Sequence, residues 1–391
     1  MACSYCFAKA RGGFRGDPRI QLVNSGAFRK RLKRAAEGRG RGAFEEFLQR
    51  RIPIQLGGMT DPFSISSVET QCINDLLGVL NEFDYPTIIS TKGRFCDLKS
   101  VRNLLSVGNY YVRVSIGASL FDKNAVEPGT PSVCESLEIV SMLAEADIPT
   151  CVRLQPIFPD AEEQALFLGI AAKNAGARAV SLEYLKVPED RSTHQFRQLD
   201  RLYRGRLRSI FESEGISTDG REFSLSLERR IRGLKVLKKE LNRIGVRVGI
   251  AENELLHYGD LAGCCNGGSE VLRGAEDFQY NTSAVLRRRV ARSIAINEFA
   301  DFWKPTSPVA RHFNSHSRFG LKGLDATWEN FFKRRWNDLR SKFNPTFFHG
   351  VTFDGANDED GNLIYNYVPD TGWGGMVQEP VRSGTTRSPT R

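Results

Sequence analysis

Thr87-Ile88-Ile89-Ser90-Thr91-Lys92-Gly93 is the stretch whose reading decides the fold. Five residues rich in β-branched side chains make a run too short for a buried helix, and a cation followed by a glycine closes it. The run reads as one strand of a buried sheet. Working outward, similar runs recur at 52–56, 111–116, 150–156, 179–184 and 247–251. Between them, 68–82, 98–106, 132–146 and 162–175 carry apolar residues at three- and four-residue spacings, and 227–244 adds a longer basic pattern of the same period. Strands alternating with helices predict a parallel sheet with helices outside it, closed or partly closed as a (β/α) barrel of about six repeats. The fold class is therefore α/β.

In such a barrel the reactive groups sit on loops after the carboxyl ends of the strands. Gly57-Gly58-Met59-Thr60-Asp61-Pro62 follows the strand at 52–56. Its glycines let backbone approach a ligand closely, and its N–H groups and the Thr60 hydroxyl suit an amino-acid headgroup, although a plain Gly-Gly turn stopped by Asp-Pro has the same appearance. Lys92 at the end of the next strand can set an ammonium against a carboxylate. In Arg113-Val114-Ser115-Ile116-Gly117, Arg113, Ser115 and Gly117 share one face of a strand. Glu127-Pro128-Gly129-Thr130-Pro131-Ser132 is a turn with Ser132 or Thr130 available as a helix N-cap.

Near the start stands Cys3-Ser4-Tyr5-Cys6-Phe7-Ala8. Two thiolates this close can share one metal or cluster, yet the same spacing also serves zinc sites, redox couples and simple turns. Together with the loops above, it resembles the end of the C-x-x-x-C-x-Φ-C signature of radical S-adenosylmethionine (SAM) enzymes, most closely the spore photoproduct lyase and DNA repair photolyase-like branch. The resemblance runs over roughly residues 3–184 and includes Arg153-Leu154-Gln155-Pro156-Ile157-Phe158-Pro159.

That resemblance implies a partial (β/α)6 radical SAM barrel in which a [4Fe-4S] cluster, with Cys3 and Cys6 among its ligands, reductively cleaves S-adenosylmethionine to a 5′-deoxyadenosyl radical. The first cysteine of the signature would fall two residues upstream of Met1, and the opening strand is expected just before Cys3. Tyr5 would pack near the adenine, Gly57, Gly58 and Thr60 would meet the amino group, and Lys92 and Ser115 would contact the rest of the cofactor. An electron donor such as flavodoxin or ferredoxin is implied as a partner. Where photoproduct lyase carries a hydrogen-donating cysteine, this chain reads Gly58-Met59-Thr60, so Cys96, or Cys264 and Cys265 with His257 or Asp260 assisting, are the candidate catalytic thiols.

Composition bounds the rest. The chain has 391 residues, 40% of them hydrophobic, and a net charge of +9, enough for one large domain plus an appendage. Eight scattered cysteines fit reduced thiols better than a disulfide framework. No apolar run reaches the roughly 18–20 residues of a membrane span, and no secretory signal is visible, so a soluble cytoplasmic protein with no membrane partner is expected. Basic clusters occur between Lys9 and Arg51, at Arg287-Arg288-Arg289 and at Lys333-Arg334-Arg335. Each is compatible with a solvated face or with a nucleic-acid backbone.

The expected organisation is a barrel over 1–265 with a basic insertion at about 9–51, a mostly helical basic and aromatic extension over 266–378, and a disordered tail from 379. Within the extension, Phe331-Phe332-Lys333-Arg334-Arg335-Trp336 reads as an amphipathic helix packing on the barrel or as a surface that stacks bases. Nucleic acid is the expected target. A peptide or small-molecule target, and a non-catalytic nucleic-acid-binding descendant, are the alternatives.

Overall fold

Six parallel strands lie side by side in chain order, as expected of a barrel whose β-branched runs are separated by single helices. The computed structural model describes residues 3–6, 22–40, 43–58, 60–63, 67–93, 98–218, 221–261, 269–275, 282–287, 290–300, 328–341 and 344–374. Helices α1 (Ser25–Ala36) and α2 (Ala43–Gln49) precede β1 (Ile54–Leu56), followed by α3 (Ser67–Glu82), β2 (Thr87–Thr91), α4 (Leu98–Ser106) and β3 (Tyr110–Ala118). A short α5 (Lys123–Val126) and α6 (Val133–Glu145) lead to β4 (Thr150–Ile157), α7 (Glu162–Asn174) and β5 (Ala179–Tyr184).

An insertion then interrupts the alternation. It comprises β6 (Val187–Pro188), α8 (His194–Leu202), α9 (Leu207–Ser213), β7 (Ile216–Thr218) and β8 (Glu222–Leu225), and its three strands form a small antiparallel sheet in the order β6-β8-β7. The barrel resumes with α10 (Leu227–Arg243) and β9 (Arg247–Ile250), giving the sheet order β1-β2-β3-β4-β5-β9. This is the partial (β/α)6 barrel expected from the alternation.

The sheet has two unlike faces. Val112, Val114 and Ile116 of β3 point outward into the main core with Leu77, Leu143, Leu168 and Leu237 from the helices. On the concave face, Ile88, Tyr111, Cys151 and Ala179 meet Leu261, Leu272 and Ala275, so segment 269–275 plugs the amino-terminal end of the barrel. Asn109 holds that plug by accepting from Arg273 N at 3.0 Å and donating to Arg273 O at 2.9 Å.

Helix starts are fixed by side chains. Ser132 caps α6 in a reciprocal box with Glu135, Thr193 caps α8, and Ser226 caps α10. Buried Lys238 of α10 pairs with Asp260 at 2.8 Å, whose carboxylate also accepts from Val248 N and Asn242 Nδ2, each at 2.8 Å. Asp260 therefore locks α10 to β9.

After the barrel come α11 (Thr282–Leu286), β10 (Arg292–Ile294), α12 (Asn297–Ala300), α13 (Trp328–Trp336), β11 (Val351–Asn357) and β12 (Leu363–Tyr367). Beside these helices, β10, β12 and β11 form an antiparallel sheet. Leu363, Tyr365 and Tyr367 alternate along β12, and Asp358 shapes the preceding turn by accepting from Asn362 N at 2.7 Å. Trp336 of α13 is buried and donates its indole N–H to Leu363 O at 2.6 Å, so it packs with Val285, Ile294 and Tyr365 of the extension itself, where the sequence reading has the helix packing on the barrel.

The extension seats on the barrel through Tyr258, which stacks on Trp373 with ring centroids 4.7 Å apart. Lys235 and Asp370 pair beside that stack at 2.5 Å. Among the described residues, no helix is long and apolar enough to cross a membrane.

Candidate functional site

The carboxyl ends of β1 and β2 are tied together by the loop after β1. Gly57 adopts φ +83°, and a Cβ there would come within 1.9 Å of Ser90 O, so only glycine allows this loop to lie against β2. Asp61 completes the clasp by accepting from Lys92 N at 2.6 Å, Thr91 Oγ1 at 2.9 Å and Phe63 N at 3.1 Å. Burial pushes the Asp61 carboxyl up despite these donors. The sequence reading took Asp-Pro only as a stop, so this role was missed; a carboxylate next to a glycine pair at a strand end was the available signal.

Above the clasp, Lys92 donates to Glu127 Oε1 and to the Tyr5 hydroxyl, each at 2.5 Å, and Tyr5 in turn donates to Glu127. Lys123 reaches the other carboxylate oxygen of Glu127 at 2.6 Å. Glu127 is 2% exposed. Burial opposes its charge, yet the two ammonium groups outweigh that and hold its carboxyl at about 2. Glu127 was the second residue missed: it opens the Glu-Pro-Gly-Thr turn, and an acid starting a turn at a barrel mouth was its only mark.

The cysteine turn lies directly over this cluster. Cys6 N donates to Cys3 O at 3.1 Å and Ser4 N donates to Val126 O at 2.9 Å, fastening the turn to the end of α5. Gln195 of α8 donates to Tyr5 O at 2.9 Å and pins the other side. Both thiols are free and partly exposed. Burial pushes the Cys3 thiol up, partly countered by nearby Lys92.

A Cβ added at Gly117 would meet Glu127 Oε1 at 3.0 Å and the Tyr5 hydroxyl at 3.7 Å, so the cluster sits over the upper end of β3 on its concave face. Ser115 is the next residue down that face. Cys3, Tyr5, Lys92, Gly57 and Ser115 thus gather around one mouth with Cys6. Gly58 and Thr60 lie on the loop beyond Gly57, and Thr60 is exposed. Cys96, Cys264 and Cys265 fall outside the described residues. Neither proposed assistant serves the mouth: Asp260 is spent on Lys238, and fully buried His257 bonds His349 O at 3.0 Å through Nε2.

The opposite side of the mouth carries a second charged group. Fully buried Glu252 follows β9, accepts from Tyr184 N at 2.8 Å and pairs with Arg230 at 2.7 Å, while Lys186 bonds Glu183 and lies 3.6 Å from Glu252. Outside the mouth, α8 and α9 flank an open surface cavity of about 410 Å³ lined by Arg191, Arg197, Arg201 and Arg208 with Phe196 and Asp200. The basic segment before β1 is more self-contained than its sequence suggests. Arg31 and Arg34 face Glu45 at 3.1 and 3.6 Å, Arg29 faces Glu82 at 2.6 Å, and Arg50 faces Glu46 at 3.4 Å.

No family model and no curated protein matches the chain. Among solved structures it is similar to a spore photoproduct lyase variant with bound AdoMet and dinucleoside spore photoproduct, at 17% identity, covering 63% of this chain and 72% of that one with a TM-score of 0.46. A second structure of that lyase, complexed with the dinucleoside spore photoproduct, matches over the same shares with the same TM-score. Streptococcus suis SuiB bound to S-adenosylmethionine is similar at 15% identity over 54% of this chain and 45% of its own, with a TM-score of 0.35.

Proposed function

We propose that this chain is a radical SAM enzyme that binds S-adenosylmethionine at the mouth formed by β1 to β3 and acts on nucleic acid. The observation that carries the reading is the convergence of Cys3, Tyr5, Lys92 and Glu127 over the concave face that holds Ser115. A [4Fe-4S] cluster bound there would supply the electron that cleaves S-adenosylmethionine, delivered by a flavodoxin- or ferredoxin-type donor. The Cys3 and Cys6 thiols, on one turn over the mouth, fit two of its ligands. Among the described residues no group of three metal-binding side chains completes a ligand set.

The chain's own residues have definable tasks. Lys92, held by Glu127 and Tyr5, presents an ammonium at the end of β2 for the cofactor's carboxylate. The Gly57 loop, clamped by Asp61, brings backbone N–H groups to the same place. Ser115 offers a hydroxyl from below. The arginines around the α8–α9 cavity favour a polyanionic partner, because guanidinium groups match phosphate geometry.

Anaerobic reconstitution with iron and sulfide tests the reading. A brown protein that releases 5′-deoxyadenosine and methionine from S-adenosylmethionine, and loses both colour and turnover in Cys3→Ala, is expected. A protein that stays colourless and does not bind S-adenosylhomocysteine refutes it. The two-thiol site favours one alternative, a non-catalytic nucleic-acid-binding descendant, which would stay colourless yet bind DNA at low salt.

A further inference from the structure

The concave face carries a row of donors that none of the roles above uses. Ser115 of β3 pairs in register with Arg153 of β4, Arg153 with Ser181 of β5, and Ser181 with Gly249 of β9. Neighbouring members therefore stand about 4.8 Å apart across the sheet.

Arg153 donates one Nη to Gln155 Oε1, and Gln155 donates to Ser181 Oγ at 3.1 Å. Its Nε is buried with no hydrogen-bond partner. Among the described residues its guanidinium forms no ion pair; the nearby acid Glu183 of β5 is bonded to Lys186, and Glu270 of the plug pairs with Arg247. A partly buried guanidinium whose one hydrogen bond among the described residues goes to a neutral amide is stabilised when an anion joins it.

We propose that Arg153 and Ser181, oriented by Gln155, form a binding site for a phosphate group of the substrate on the floor of the mouth. The proposal rests on the reading that substrate enters at this face. The Ser181 oxygen accepts from Gln155, which leaves its hydrogen to donate, and the free guanidinium N–H adds a second donor from the next strand. The row contains donors and no acid, so it selects an oxyanion and rejects cations. A carboxylate's two coplanar oxygens are filled by one guanidinium edge, whereas a phosphate's tetrahedral oxygens reach donors on adjacent strands at once. Gln155 fixes the guanidinium plane, so little is left to order when the ligand arrives.

The test titrates the full chain with inorganic phosphate, with a short single-stranded oligonucleotide and, separately, with S-adenosylhomocysteine, in the native protein and in Arg153→Met. The expected result is binding of all three by the native chain, and weakening of phosphate and oligonucleotide by roughly tenfold to a hundredfold in the variant. S-adenosylhomocysteine affinity and melting temperature should stay unchanged, and Arg153→Lys should recover part of the lost phosphate binding. Phosphate binding that is absent from the native chain or intact in Arg153→Met overturns the proposal. Loss of S-adenosylhomocysteine instead overturns it by assigning Arg153 to the cofactor, and a lowered melting temperature with phosphate binding retained does so by making Arg153 structural. A native chain that takes phosphate but not S-adenosylhomocysteine defeats the radical SAM reading and leaves the phosphate site standing.

Discussion

Replacing Lys92 with methionine keeps the length of the side chain while removing one of the two cations that hold Glu127. Glu127 is 2% exposed at the side chain and Lys92 16%, with 2.5 Å between them. Removing one partner from a buried pair costs about 3–5 kcal/mol. Here Lys123 still faces Glu127 at 2.6 Å, and its side chain is 25% exposed, so the cost of Lys92→Met falls to about 2–3 kcal/mol. Glu127→Gln leaves two lysines facing an amide and costs about 1–3 kcal/mol. The pair Lys92→Met with Glu127→Gln should cost less than the sum of the single changes by about 1–3 kcal/mol, the coupling of groups in direct contact. Urea unfolding of the native chain, both single variants and the double variant gives all four free energies, and S-adenosylhomocysteine titration reads the site in parallel. Additive unfolding energies would refute the account of the cluster. Unchanged ligand affinity in Lys92→Met would refute the role of its ammonium.

Three further outcomes follow from the same structure. Gly57→Ala must find room for a Cβ against Ser90 O at φ +83°; it should lose at least about 2 kcal/mol in urea unfolding and abolish S-adenosylhomocysteine binding. Lys238→Met strands Asp260 in the core and should cost about 3–5 kcal/mol, much of it recovered by adding Asp260→Asn, as thermal melts would show. His349 is held below its ordinary 6.5, first by burial and then by Lys235, with Asp370 opposing, while Tyr258 bonds its Nδ1 at 3.0 Å and His257 bonds its carbonyl. Its folded form resists protonation, so stability present at neutral pH is lost as pH falls through 6.5 and below. Trp373 fluorescence should report earlier acid release of the extension in the native chain than in His349→Gln.

Strands β2 and β5 and helix α4 were legible to the residue, because their continuous apolar or amphipathic runs are bounded by turn residues. The insertion from β6 to β8 was not: its strands are two to four residues long, too short for any period to register. The antiparallel sheet of the extension escaped for a different reason, since aromatic and basic residues around it suggested a helix, and only β12 alternates cleanly. At the mouth, Cys3, Tyr5, Lys92 and Ser115 were named because the short stretches that carry them resemble known motifs. Glu127 and Asp61 were not, because the partners that define them, Lys92 with Tyr5 and Thr91 with Phe63, are brought to them by the fold rather than by a motif. The same limit explains Arg153, whose neighbours in register come from two other strands.

The Tyr258 and Trp373 stack has a consequence for how the chain is made. Asp370, which donates its N–H to the Tyr258 hydroxyl, follows it by 112 residues. During synthesis the Tyr258 ring must therefore wait for this cover until the whole extension has left the ribosome. Shortening the chain ahead of His349 would remove both His349 and Trp373 from that ring, and a barrel expressed in that form should self-associate through it.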